Sequence, residues 1–280
     1  MARILIIGCG DIGQAVAVEF FAQGHHVTGL KRHPPSSKQD IHYIKADINK
    51  AETLNLLTGD FQQAIIILSP DSSSTEAYRV VFETGINNLL IALTKKISIT
   101  FISSTRVYAE NNGEWVNEQT LANACDPKSR LILQAENKIL AHNPLNTIIR
   151  FSGIYGRAKG YFLQQIKNAN PIQQHPSYYT NRIHRSDCIG VIVHLINKKI
   201  AGDKLEPLYL ATDSEPSSKW DVACYLAKQM NCNKPIASPE SEQNSQNKRI
   251  SNQRLIDSGY PFKYPSYQQG YQKIISDEKI

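Results

Sequence analysis

Short apolar runs alternate with segments of helical period through the first half of the chain. Arg3–Ile7, His26–Leu30, His42–Lys45, Ala64–Leu68, Ile99–Ser103 and Asn146–Phe151 read as strands. Between them, Asp11–Gln23, Ser73–Thr94 and Pro127–Ala141 read as helices. In the second of these, Ala77, Val80, Val81, Ile86, Leu89, Leu90 and Leu93 recur close to a period of about 3.6 residues and form one apolar face. This alternation predicts an α/β fold with a parallel sheet and crossover helices. Beyond Arg150, Gly, Pro, Tyr and Asn become frequent, and helical patterns stand isolated at Phe162–Asn168, Asp187–Asn197 and Lys219–Met230. The stretch Ala237–Lys248 is polar enough to predict a mobile loop. The pattern therefore predicts a core over residues 1–155 and a smaller, less regular lobe over 156–280, interleaved with it.

Composition keeps the chain among soluble globular proteins, at 41% hydrophobic and 20% charged residues. A net charge of +6, spread along the sequence, suits an anionic small molecule and gives no footprint for nucleic acid. Cys9, Cys125, Cys188, Cys224 and Cys232 are odd in number and form no C-x-x-C pair. That fits a reducing cytosol and argues against a disulfide framework or zinc cluster. No apolar run approaches the roughly 18 to 20 residues that span a membrane, and Ile4–Ile7 is too short for a secretory signal. A cytoplasmic protein is expected, with no membrane partner and no metal. Trp115 and Trp220 read as packing residues.

The chemistry begins at Gly8-Cys9-Gly10-Asp11-Ile12-Gly13, which follows a strand and opens a helix. Gly8 permits the tight turn, Gly10 lets backbone approach a pyrophosphate, and Gly13 lets the helix pack on the strand. The helix N-terminus favours the anion. At the end of the second strand, where a carboxylate often binds the ribose of NAD, the chain has Lys31 and Arg32. Two cations there can pair with a 2′-phosphate, or can be solvated charges at a strand end. Asp47, before Ile48, can accept from an adenine amino group or can cap the following turn.

Three further segments are Ser103-Ser104-Thr105-Arg106-Val107-Tyr108, Arg150-Phe151-Ser152-Gly153-Ile154-Tyr155-Gly156 and Arg182-Ile183-His184-Arg185-Ser186-Asp187. In this order and spacing the chain resembles the extended short-chain dehydrogenase/reductase family, in the branch of NAD-dependent epimerases and dehydratases. The segments are similar to its S-S-x-x-V-Y-G, R-x-x-x-x-Y-G and F-I-H-x-x-D patterns, although Ala109 replaces a glycine and Ile7 replaces an extra leading one. The tail from Lys248-Arg249-Ile250-Ser251-Asn252 to Tyr267 resembles atypical members with unsettled substrates. The resemblance implies a Rossmann-type doubly wound parallel sheet with a smaller C-terminal substrate lobe. It implies cofactor contacts at Gly8, Gly10, Asp11, Ile12, Gly13, Asp47, Ile48, Ser69 and Ser103. It also implies a small-molecule substrate, with a homodimer as the family habit.

Family members move a proton with a Tyr whose pKa is lowered by a Lys one helical turn along, since an isolated phenol near pKa 10 is a poor base. With Glu136 aligned to the family's glutamate, the Tyr position holds Lys128 and the Lys position holds Ile132. The chain's one Tyr-x-x-x-Lys, Tyr155 to Lys159, lies in a Gly-flanked loop and reads as coincidence. Ser104, with Thr105 beside it, remains as the substrate-orienting hydroxyl or as a strand-end hydroxyl bonding backbone. Tyr108, Tyr155 and Lys128 are candidate substitute proton carriers. Arg130, Arg182 and His184 are candidate substrate contacts, with packing roles as their alternatives. Two functions follow: an NADP(H)-dependent oxidoreductase or epimerase-like enzyme acting on a polar carbonyl or sugar-nucleotide-like substrate, or a non-catalytic NADP(H)-binding redox-sensing module. In both, NADP(H) is favoured over NAD(H).

Overall fold

The computed structural model describes residues 1–35, 41–157, 160–238 and 246–278. It opens with β1 (Arg3–Ile7), α1 (Asp11–Ala22), β2 (His26–Lys31), β3 (His42–Lys45) and β4 (Gln63–Ile66). A continuous helical stretch follows, as α2 (Thr75–Arg79), a π-helical segment (Val80–Gly85) and α3 (Ile86–Ala92). The π segment ends where the helix packs closest: a Cβ on Gly85 would lie 2.6 Å from Ile48 Cδ1, and Asn88 Nδ2 donates to the Ile48 carbonyl at 2.8 Å. Next come β5 (Ser98–Ser104), β6 (Glu114–Val116), α4 (Pro127–His142), β7 (Thr147–Phe151) and β8 (Gly153–Tyr155). Smaller elements follow: α5 (Tyr161–Lys167), β9 (Ile172–Gln173), β10 (Tyr179–Thr180), β11 (Arg182–His184), α6 (Arg185–Ala201) and β12 (Leu208–Ala211). The chain continues through β13 (Ser217–Ser218), α7 (Lys219–Gln229), β14 (Ala237–Ser238), β15 (Lys248–Ile250), α8 (Gln253–Asp257) and α9 (Tyr267–Glu278).

The predicted doubly wound parallel sheet is present, with seven strands in the order β12-β7-β5-β4-β1-β2-β3. β1 lies parallel to both β2 and β4, with Ile7 opposite Leu30 and Ile66. Ile4, Leu5, Ile6 and Ile7 are fully buried, as expected of a strand covered on both faces. Strand order reverses between β1 and β4, which makes the carboxyl ends of these strands a topological switch point.

The chain divides into two compact units. The first comprises Met1–Val107, Ala122–Arg150 and Ile189–Tyr209 and holds most of the sheet. The second comprises Tyr108–Leu121, Phe151–Cys188 and Leu210–Ile280. Its core is built from α5, α7 and α9, with Leu163, Val222, Leu226, Tyr267 and Tyr271 buried. Its tail is anchored by Lys248, which pairs β15 with β6 and sends its ammonium to the carbonyl of Tyr108 (3.1 Å) and to Gln246 Oε1 (2.8 Å).

Several expectations shift. The Ala237–Lys248 loop contains a strand residue pair at Ala237–Ser238, bound to β9, and ends at the first residue of β15; residues 239–245 lie outside the described residues. Lys159, of the coincidental Tyr–Lys spacing, does so too. β12 and α9 were not expected: β12 is only four residues, and Gly270 with neighbouring glutamines obscures the apolar face of α9.

In the first unit, α4 is fastened to the sheet by a buried ion pair. Glu136 is 1% exposed and accepts from Arg150 of β7 at 2.5 Å (Nη2) and 3.0 Å (Nε). Ser103 of β5 donates to the same carboxylate. At the opposite edge, Lys199 of α6 donates to Ser98 Oγ, Thr100 Oγ1 and the Leu145 carbonyl, each at 3.1 Å. Removing one charge of a buried pair strands the other, so Glu136→Gln is expected to lower unfolding free energy by about 3–5 kcal/mol in urea melts. The double change Glu136→Gln with Arg150→Met should recover much of that loss. A single-variant loss under about 1 kcal/mol would contradict a buried, interlocked pair.

Candidate functional site

The glycine turn lies at the carboxyl end of β1. Gly8 has φ +86°, and a Cβ there would lie 1.9 Å from the Ile67 carbonyl oxygen. A Cβ on Gly13 would come within 2.6 Å of the Gly8 carbonyl oxygen, so α1 packs directly on the turn. Gly10 is different: nothing lies within 4 Å of its Cβ position. It is the N-cap of α1 without a side-chain cap, and the first helical bond runs from Gln14 N to Gly10 O at 2.8 Å. Amide groups of a first turn have no intrahelical acceptor and carry the positive end of the dipole. Two glycines forced by close approach and one left open fit the pyrophosphate of a nicotinamide dinucleotide. Asp11 and Ile12 lie in that first turn, exposed and half-buried. Cys9 is buried and burial pushes its thiol upward, so it is an inert packing group.

Along the same edge, Lys31 ends β2 half-buried and Arg32 follows it, exposed. Arg32 forms a two-pronged ion pair with Asp71, after β4, at 2.5 and 2.6 Å. Asp71 had not been singled out; an acid just past the fourth strand, in Ser69-Pro70-Asp71, was the available signal. Asp47 Oδ1 accepts from Asn49 N–H at 3.0 Å, so the turn-capping alternative is realised in the geometry. Ile48 is buried, and Ser69 is exposed past the end of β4.

At the end of β5 the predicted hydroxyls separate. Ser103 turns into the core toward Glu136, whereas Ser104 is half-buried and its Oγ accepts from Arg106 N–H at 3.2 Å. Thr105 is buried in a short 3₁₀ turn. Asp126 caps α4 by accepting from Lys128 N–H and Ser129 N–H, and Arg106 bonds both Asp126 (3.1 Å) and Ser129 Oγ (3.0 Å). Ile132 is 5% exposed, one turn from Glu136 on the same buried face. Lys128 is half-buried, its ammonium 5.8 Å from the centre of the Tyr78 ring. The family's Tyr–Lys positions are thus filled by a lysine at the helix entrance and a core isoleucine. Arg130 donates to the carbonyls of Ala124 (3.2 Å) and Cys125 (2.7 Å), a backbone role. Tyr108 is fully buried and donates to the Asn117 carbonyl.

The second unit gathers Tyr155, Arg182, His184 and two buried aspartates that differ sharply. Asp187 accepts from Tyr260 Oη (2.8 Å), Lys263 N–H (2.8 Å) and Tyr264 N–H (3.0 Å), which fastens the 260–264 tail to α6. Asp213 is 1% exposed, its Oδ2 meets no hydrogen-bond donor, and burial pushes its carboxyl up to about 8. The Tyr155 hydroxyl is buried where Gly270 leaves room for it: a Cβ on Gly270 would lie 1.9 Å from that oxygen. The Tyr155 ring stacks on Tyr271 and meets His184 edge-on. Burial, with Asp213 nearby, pushes the Tyr155 phenol above its ordinary range, so it keeps its proton at neutral pH and is no base. Arg182 is buried, lies over the Phe162 and Tyr267 rings and donates to Thr180. His184 Nδ1 accepts from Ser186 N–H at 3.1 Å, and burial lowers its pKa. The neutral ring therefore carries its proton on Nε2. A cavity beside it is lined by Gly156, Ser186, Lys263, Tyr264 and Lys273. Nothing in the periodicity marked Asp213; it sits in an ordinary strand-end Thr-Asp-Ser. Among the described residues, no group of His, Cys, Asp and Glu is placed to hold a metal, and no helix is long and apolar enough to cross a membrane.

The sequence profile described as the RmlD substrate binding domain matches residues 2–279. No curated protein sequence matches the chain. A solved structure from Methylobacillus flagellatus, described as an NAD-dependent epimerase/dehydratase, is 32% identical with a TM-score of 0.84, covering 100% of this chain and 99% of that one. UDP-N-acetylglucosamine 4-epimerase from Bacillus cereus has 15% identity and a TM-score of 0.76 over 100% of both chains. dTDP-glucose 4,6-dehydratase from Bacillus anthracis, in complex with NAD, has 16% identity and a TM-score of 0.79 over 100% of this chain and 97% of that one. The last two likenesses are of fold.

Asp213 makes folding depend on pH with a defined sign. Its folded pKa, about 8, lies above the ordinary carboxyl value, so its stabilising contribution is full below about pH 4 and is lost as pH rises through about 8. Urea melts from pH 5 to 8.5 should show stability falling by at most about 1.4 kcal/mol per pH unit from this group. Asp213→Asn should flatten that fall. Parallel profiles for the two proteins would show that Asp213 ionises normally in the fold.

Proposed function

The chain belongs to the RmlD substrate binding domain family, of the extended short-chain dehydrogenase/reductase type, and on that premise we propose that it is an NADP(H)-dependent oxidoreductase or epimerase-like enzyme acting on a polar carbonyl or sugar-nucleotide-like substrate. The observation that carries the reading is the glycine cradle, with open backbone at Gly10 on the positive end of α1. Lys31 and Arg32 support NADP(H) over NAD(H), since they stand where a carboxylate would repel a 2′-phosphate. Asp47, through the oxygen that does not cap the turn, and Ile48 would hold the adenine end of such a cofactor, and Ser69 lies in the run of chain past β4.

A bound nicotinamide supplies the hydride chemistry, so the protein's task is to place the substrate and stabilise its oxygen. In this reading Ser104, with Thr105 behind it, orients that oxygen. Lys128 offers an ammonium donor at the position the family gives to tyrosine. Tyr155, whose phenol burial keeps protonated, can offer a hydrogen bond. Arg182 offers a cation to an anionic substrate group, and His184 offers Nε2–H.

A second reading has its own observation. Ile132 is packed into the core where the family has lysine, which favours a non-catalytic module that binds NADP(H) and reports its redox state to a partner protein. Hydride exchange between isotopically labelled NADPH and a carbonyl panel separates the two. Exchange with any panel member is expected for the enzyme, whereas tight NADPH binding without exchange supports the module. For cofactor choice, Lys31→Asp with Arg32→Ala should weaken NADPH at least tenfold more than NADH in a fluorescence titration. Equal weakening of both would defeat the 2′-phosphate assignment.

A further inference from the structure

The two strands flanking the glycine turn are joined across its edge by an ion pair. Strand order sets β1 between β4 and β2, and the three run parallel, so their carboxyl ends share one edge. Arg32 directly follows β2 and Asp71 follows β4. Nη1 and Nη2 of Arg32 donate to the two oxygens of Asp71 at 2.6 and 2.5 Å, a two-pronged fork. The pair therefore bridges the edge at which β1 runs into Gly8–Gly13, across the switch point of the sheet. The same bond holds the Asp71 carboxyl below its ordinary range. The two side chains are 47% and 69% exposed, so water screens their attraction and the fork can be exchanged.

We propose that Asp71 is a specificity-determining residue: its carboxylate occupies Arg32 across the mouth of the dinucleotide crevice, and a ribose 2′-phosphate takes the guanidinium from it where a ribose hydroxyl does not. The inference rests on the assignment of Lys31 and Arg32 to a 2′-phosphate. A phosphate carries more charge than a carboxylate and presents three acceptor oxygens, so it can replace the Asp71 fork with one at least as strong. A hydroxyl offers no charge, so a cofactor without the phosphate leaves the pair closed. Asp71 thereby tempers the preference that the two basic residues create.

The test is a binding titration of NADPH and NADH by fluorescence on the full chain, in four proteins: wild type, Asp71→Asn, Arg32→Ala and the double variant. Asp71→Asn should tighten NADPH about three- to fivefold, the scale of an exposed ion pair, and leave NADH within about twofold. In the Arg32→Ala background the same change should do nothing, because the competitor has lost its target. Both sites are exposed, and matching thermal melts confirm folding. Unchanged NADPH affinity in Asp71→Asn overturns the inference. So does tightening that persists without Arg32, which would be a general charge effect. If Arg32→Ala weakens NADPH and NADH alike, the phosphate assignment falls and this inference with it; a selective loss at Arg32 with a silent Asp71 overturns this inference alone.

Discussion

Much of the first unit's geometry depends on the Glu136–Arg150 ion pair with Ser103 bound to it. A carboxylate and a guanidinium this deeply buried must satisfy each other, because neither has water to turn to. Their pairing therefore allows one rotation of α4 about its axis and one height above β5 and β7. Once Glu136 faces the sheet, the residue one turn earlier, Ile132, must face it too. The next turn places Lys128 at the helix entrance, over Tyr78. The arrangement of the residues around the end of β5 is thus set from below, by a buried interaction in the core. The same constraint explains why Ser103 and Ser104, adjacent in sequence, differ in use: successive strand residues point to opposite faces, so one hydroxyl serves the ion pair and the other is left at the strand's end.

The two units handle buried charge in contrasting ways. In the second unit Asp187 has three donors and anchors the tail, which makes a carboxylate there an architectural device. Asp213 has an oxygen that meets no donor, and its burial holds it close to protonated. A carboxyl kept neutral carries an O–H donor while its other oxygen can still accept, as Asp213 Oδ1 does from Glu215 N–H at 3.4 Å, and the nearby Tyr155 phenol is likewise held protonated. Around Tyr155 the second unit thus holds two protonated groups, with the buried Arg182 as a cation near them.

The sheet and its cofactor edge were legible because each step has a local signature. Apolar runs such as Ile4–Ile7 announce strands buried on both faces, and Gly8 and Gly13 are needed for distances that any side chain would violate, while Gly10 leaves its backbone open. The ends of strands also marked Lys31, Arg32 and Ser104 as candidates. What stayed hidden depends on pairing between distant positions. Nothing in Arg32 shows that Asp71 will reach it, and nothing in Arg130 shows that the carbonyls of Ala124 and Cys125 will take its guanidinium. Short elements were hidden for another reason. β12 is too brief to show a period, and α9 interrupts its apolar face with Gly270, a glycine the Tyr155 hydroxyl requires.

Binding and catalysis are separable in this fold because they are built by different parts of it. The cradle is backbone, set by three glycines and the end of a helix, and residues 128 and 132 belong to a different element, α4. The proton-transfer pair is side chains on one helix face, and here that face has been given to packing. A lysine at 132 would have to bring its ammonium into the space of a residue that is 5% exposed, against the burial cost that ordinarily drives such a group to lose its charge. The departure from the family is therefore not two exchangeable surface residues. It is a repacked helix entrance, capped by Asp126 and braced by Arg106, and whatever chemistry the chain performs must be compatible with that entrance as it stands.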